Sequence, residues 1–267
     1  MWLASPSSSS TQQSRCRAWL GLAIGIFSWA LATLAQAADP LPDIKQFATR
    51  PSSRFLIDWS HVRTGHPYKG RRAQQPHTGA HVYFQPPTKR PDPRVPSSYP
   101  AIYAIADGHV ARIDESFKQR EMFSRVLNKR LSNYRYGVTL AIGLKGGKPV
   151  HFHYSIEPMV DPGDRNFYKP FILVKRGQQV QRGQVIAYMY LPPHPELQSF
   201  AHIHFNLMDT GKREFMAPTI FTPEINRQFH ATWGKRGFDG NQPIAACMGF
   251  RLTARENPFG TGDKDFQ

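Results

Sequence analysis

The amino-acid sequence predicts a mainly β protein, an antiparallel β-sheet or sandwich with one inserted helix. Three observations carry that prediction. Apolar runs of strand length recur from His77 to about Phe221, at residues 81–84, 101–105, 109–113, 136–142, 150–156, 171–174, 184–190 and 202–207. Turn-forming pairs separate most of them: Asp107-Gly108, Gly146-Gly147, Pro162-Gly163 and Arg182-Gly183. The 267 residues include 18 Phe, 10 Tyr and 5 Trp, enough bulk for a folded core and too much for wholesale disorder.

The N-terminus comes first. Residues 1–14 are polar and Ser-rich. Arg15 and Arg17 then precede an apolar run over 18–34, followed by Ala35-Gln36-Ala37 and Ala38-Asp39-Pro40. A basic lead, an apolar stretch and an A-x-A exit are the parts of a secretory signal, predicted over 1–37 with cleavage after Ala37. The competing reading is an uncleaved membrane anchor. Cleavage implies a secreted or periplasmic protein with no stable transmembrane span. The whole chain has 34 Lys+Arg, 19 Asp+Glu and a net charge of +15; losing Arg15 and Arg17 leaves 32 against 19, or +13. Outside the cytoplasm, that charge points to peptidoglycan or another anionic envelope polymer and away from nucleic acid. The 2 Cys exclude a disulfide framework and a Cys-rich zinc site. Cys247, alone after cleavage, reads as a small buried hydrophobe or an intermolecular bridge.

The mature chain divides into an N-terminal arm (38–70), a main domain (71–225) and an irregular C-terminal extension (226–267). The arm has one apolar run, Phe55-Leu56-Ile57. Within the domain, 86–100 is proline-rich and reads as a semi-rigid surface loop. Residues 115–131 predict the inserted helix: Phe123, Val126, Leu127 and Leu131 form one stripe, and Lys118, Arg120, Arg125, Lys129 and Arg130 fill much of the rest. That helix is either a packed surface element with a solvated face or a binding element.

Six of the 11 His fall into three groups: His77 with His81, His151 with His153, and His202 with His204. The last two have i, i+2 spacing inside strand-like runs, so both imidazoles of each pair share one face. Ile203 and Phe205 then turn to the core. A single pair of this kind is more often structural than chemical. Three groups on strands of one domain point to a metal, because neutral imidazole is the commonest metal ligand and catalytic zinc takes three protein ligands plus water.

The order of motifs supports this. His77-Thr78-Gly79-Ala80-His81 is followed by Tyr103-Ala104-Ile105-Ala106-Asp107-Gly108-His109-Val110. Next come His151-Phe152-His153, the stretch from Val174 to Ala187 with Gly177 and Gly183, and His202-Ile203-His204-Phe205. Over roughly 66–221 this series resembles the lysostaphin/LytM-type zinc metallopeptidases, with their H-x-G-x-D, D-G-x-V, Y-x-H and H-x-H elements. The resemblance implies the duplicated hybrid motif fold and a Zn2+ cofactor. It implies zinc ligands His77, His81 and His204, and assisting histidines His153 and His202. It also implies hydrolysis of peptidoglycan peptide bonds.

The chain departs from that pattern. His81 replaces the ligand Asp. A three-histidine zinc site is chemically sound, as in carbonic anhydrase, but losing the carboxylate raises the site's formal charge by one unit, which should make a bound water more acidic and its hydroxide less nucleophilic. His151 stands for the usual Tyr, as a supporting group at most. Asn206 stands where Glu commonly follows the second histidine. Residues 191–200 replace a Gly-rich segment. The alternative function is therefore a catalytically degenerate domain of the same kind that binds cell wall or activates a separate amidase. A weaker reading, resting on the 174–187 stretch and the charge, is a carrier-like or polysaccharide-binding β domain.

Overall fold

The structure, a computed structural model, describes residues 40–70, 77–119, 121–125, 128–131, 133–160, 164, 166–233 and 255–259. The expected signal segment (1–37) and Cys247 lie outside the described residues. No helix among the described residues is long and apolar enough to cross a membrane.

The fold is mainly antiparallel β. Its strands are β1 (Val62–His66), β2 (Ala80–Phe84), β3 (Ala101–Tyr103), β4 (Gly108–Lys118), β5 (Met122–Ser124), β6 (Lys129–Leu131), β7 (Tyr134–Lys145), β8 (Lys148–Glu157), β9 (Gln179–Val180), β10 (Val185–Tyr188), β11 (His202–Asp209) and β12 (Glu214–Met216). Helices are α1 (Gln46–Thr49), α2 (Pro195–Phe200) and α3 (Pro223–Ala231). An eight-stranded sheet runs in the order β1-β2-β11-β8-β7-β4-β9, with β12 also paired to β11. Strand β2 takes the first half of β11 and β12 the second.

The two faces of this sheet differ because its strands alternate. Val82, Val138, Leu140, Phe152, Tyr154, Ile156, Ile203, Phe205 and Leu207 are fully or almost fully buried on one face. The two-stranded sheet β3–β10 packs over that face, where the Ile105 backbone N–H donates to the Tyr154 hydroxyl at 2.9 Å. Phe55 lies against Phe205, Phe221 and Phe229, which joins the N-terminal stretch and α3 to the same core. Thr222 caps α3 by accepting from the Ile225 N–H, and Pro223 starts it. Helix α3 therefore crosses position 226, where an irregular extension was expected. Strand β1 makes part of the expected arm an edge of the main sheet.

Two tight turns hold β9 and β10. In each, the fourth residue donates to the carbonyl of the first: Gln178 to Lys175 and Gln184 to Gln181, both at 3.0 Å. The third residues are Gly177 at φ +81° and Gly183 at φ +87°, a conformation that glycine adopts without steric penalty.

The inserted helix is corrected. Residues 115–118 continue β4, pairing Phe117 with Arg135 and Lys118 with Tyr134 on β7. Beyond them β5 and β6 form a small antiparallel pair, with Asn128 at φ +46°. A short helix depends on burying its apolar stripe, and the large apolar side chains described here stay out of the core: Phe117 and Phe123 remain 53% and 55% exposed. The ladder continuing from two long strands wins instead.

Candidate metal centre

The polar face of the sheet carries the histidines in cross-strand rows. One row runs His66 on β1, His81 on β2, His204 on β11, Ser155 on β8, Gly137 on β7 and Asp114 on β4. To one side lie Tyr83, His202 and Glu157. To the other lie Asn206, His153, Thr139 and Arg112. Directly opposed residues share a face, so pairing brings together groups that are far apart in sequence.

His77 enters from the turn before β2. One ligand nitrogen from each of His77, His81 and His204 lies within 4.8 Å of the other two. Ring centroids of His77 and His81 are 4.5 Å apart, His77 and His204 5.1 Å, and His81 and His204 4.9 Å. Gly79 permits the approach: a Cβ there would sit 2.0 Å from His204 Nε2.

Hydrogen bonds order the rings. His77 Nδ1 donates to the Gly79 carbonyl at 2.8 Å, leaving its Nε2 lone pair outward. The Asn206 amide nitrogen donates to the Thr78 carbonyl at 2.8 Å and faces His204 Nε2 at 3.4 Å. His204 Nδ1 then donates to His81 Nε2 at 2.9 Å, and His81 Nδ1 to the Tyr83 hydroxyl oxygen at 3.1 Å. Donor count assigns these roles for neutral rings.

His81 and His204 are held neutral. Burial, followed by the neighbouring His202, His204, His77 and His66, keeps His81 well below the ordinary imidazole value. Burial, then His77, His202, Arg135 and His153, pushes His204 down to about 3. Three imidazoles whose ring nitrogens come within 4.8 Å of one another are a fitting donor set for Zn2+. A cation there would replace the proton between His81 and His204, which would move to His204 Nε2. To accept that proton the Asn206 amide would turn, bringing its Oδ1, buried and without a hydrogen-bond partner, to Nε2 in place of its NH2 group.

The remaining expected site residues fall into two settings. The His202 ring lies beside that of His81, tilted by 33° at 4.5 Å between centroids; its Nδ1 donates to the Phe200 carbonyl at 2.7 Å, and its Nε2 lies 3.4 Å from Glu157. His153 lies one row away from His204. Its Nδ1 bonds the Thr139 hydroxyl at 3.0 Å, and its Nε2 is buried with no hydrogen-bond partner, near Phe215. Burial, then His151, Arg112 and Arg135, pushes His153 to about 3. His151 is lowered by burial, His109 and Arg112, and stands apart from the three-nitrogen group.

His66, Tyr83, Thr139 and Glu157 were not singled out by sequence. His66 lies 5.4 Å from His81 and 5.5 Å from His77 between ring centroids. Period-two counting from His151 and His153 reaches Ser155 and Glu157, so that signal was present.

No family model and no curated protein sequence matches the chain. A solved structure to which it is similar is that of the SpoIIQ–SpoIIIAH pore-forming complex, at 14% identity, covering 64% of this chain and 90% of that chain, with a TM-score of 0.34. That likeness is too slight to bear on fold or function.

Proposed function

We propose that this chain is a secreted or periplasmic zinc metalloendopeptidase that hydrolyses peptide bonds of peptidoglycan. One observation carries the reading: a ring nitrogen from each of His77, His81 and His204 lies within 4.8 Å of the other two on the polar face of the sheet. The motif order through 66–221, the N-terminal signal pattern and the basic charge support it.

His77, His81 and His204 would hold the zinc. A bound zinc supplies a water with pKa near 7 and polarises the carbonyl under attack. His202 is the better placed proton carrier. The Phe200 carbonyl fixes its ring through Nδ1, and Glu157 faces its Nε2, so a proton can be held there and handed to a leaving amine. His153 is shielded at Nε2 and serves in support. Tyr83 orients His81 through Nδ1.

A second reading has its own observation. The 2.9 Å hydrogen bond between His81 and His204 satisfies two of the three rings without a metal. A degenerate, wall-binding or amidase-activating domain would keep that bond.

The test is solubilisation of purified peptidoglycan by the zinc-loaded protein, with and without chelator. Release of new amino groups that stops with chelator and in His204→Ala supports the hydrolase. Retained wall binding with no release in any state supports the degenerate domain.

A further inference from the structure

Arg135 is unlike the other arginines near the site. It lies on the polar face, since its neighbour Tyr136 is fully buried and its cross-strand partner is Phe117. Its guanidinium carbon lies 4.4 Å over the Phe117 ring centroid. Its Nε is buried with no hydrogen-bond partner, and it forms no ion pair among the described residues. Arg112, by contrast, is paired with Asp114 at 3.0 Å. The acid near Arg135 on β8, Glu157, is engaged by Ser155 at 3.4 Å and by His202 at 3.4 Å.

Arg135 also acts on the site. Its charge is among the causes that hold His204 and His153 low. Strand β7 is two strands from β11, and Arg135 is two residues from Gly137 in the His204 row. Sheet spacings of about 4.8 Å between strands and 3.4 Å per residue place its Cα roughly 12 Å from that of His204. A partly desolvated guanidinium without a counter-ion is unfavourable alone, and its planar fork matches a carboxylate.

We propose that Arg135 is a carboxylate-binding subsite of this centre, which takes the acidic group of a bound peptide about three extended residues from the histidine cluster. The proposal rests on the peptidase reading and deepens it by naming an acidic peptide as the substrate class.

Two peptides identical except for one glutamate or glutamine test it by titration calorimetry against the full chain. The wild type should bind the glutamate peptide about tenfold tighter. Arg135→Met keeps the apolar stem over Phe117 and should bind both peptides with the affinity the wild type shows for the glutamine twin. Arg135→Lys should keep a preference of about threefold. Equal affinity of the wild type for the twins, no binding of either, or undiminished preference in Arg135→Met overturns the subsite. If Arg135→Met binds neither peptide, Arg135→Lys decides: a retained preference supports the proposal and a lost one overturns it. Failure of the zinc-loaded wild type to cut any peptide counts against the peptidase reading alone, because the affinity ratio is read without cleavage.

Discussion

His202/His204 and His151/His153 have the same i, i+2 spacing and lie on adjacent strands of one sheet, yet only the first pair contributes to a three-nitrogen group. The neighbouring strand makes the difference. Beside His204, β2 places His81, and the turn before β2 adds His77. Beside His153 and His151, β7 places Thr139 and Ala141. A histidine pair on a strand therefore supplies half of a site, and the strand paired to it decides whether the other half exists.

The largest expected effect separates the pairs directly. His204→Ala and His81→Ala should abolish zinc retention, whereas His151→Ala should leave zinc at wild-type occupancy, as measured by metal analysis after gel filtration. Equal zinc loss in all three would break the distinction.

The next effect separates adjacent residues on the two faces of β11. Phe205 is fully buried among Phe55, Phe152 and Phe229, and Phe205→Ala should destabilise the fold by about 3–5 kcal/mol in urea unfolding. His204→Ala in metal-free protein should cost about 1 kcal/mol, the order of one hydrogen bond.

Gly79→Ala should destabilise by about 1–3 kcal/mol, because the new methyl would meet the His204 ring and the turn must shift. It should lower zinc affinity in the same preparation. Unchanged zinc affinity would show that His77 reaches the group by another route.

Acid should act through His81, His204 and His153. The folded values of His81, His204 and His153 lie below the usual unfolded value near 6.5. The unfolded chain therefore binds more protons on acidification. The stability of metal-free protein should be full above about pH 6.5 and fall progressively toward about pH 3, by up to about 1.4 kcal/mol per pH unit for each such histidine. Urea midpoints across that range measure it, and His153→Ala should flatten the slope.

Much of this arrangement was legible in the sequence. Alternation in 150–156 and 202–207 indicated which residues face the core and which face the histidines, and the three ligand candidates came from the resemblance that the H-x-G-x-H and H-x-H motifs carry. Register was not legible. Nothing in residues 62–66 marks a strand paired to β2, so His66 was invisible beside His81. Glu157 was passed over because its partner His202 is 45 residues away and becomes its neighbour only through the β8–β11 ladder. In the segment 115–131 the helical stripe is real in sequence, but its first member, Phe123, stays 55% exposed and the β4–β7 ladder takes residues 115–118.

The most direct test of the central claim is titration of zinc into metal-free protein followed by calorimetry. The account predicts one tight zinc per chain in the wild type and none in His204→Ala. A wild type that takes up no zinc, or a His204→Ala protein that binds it equally well, contradicts the account.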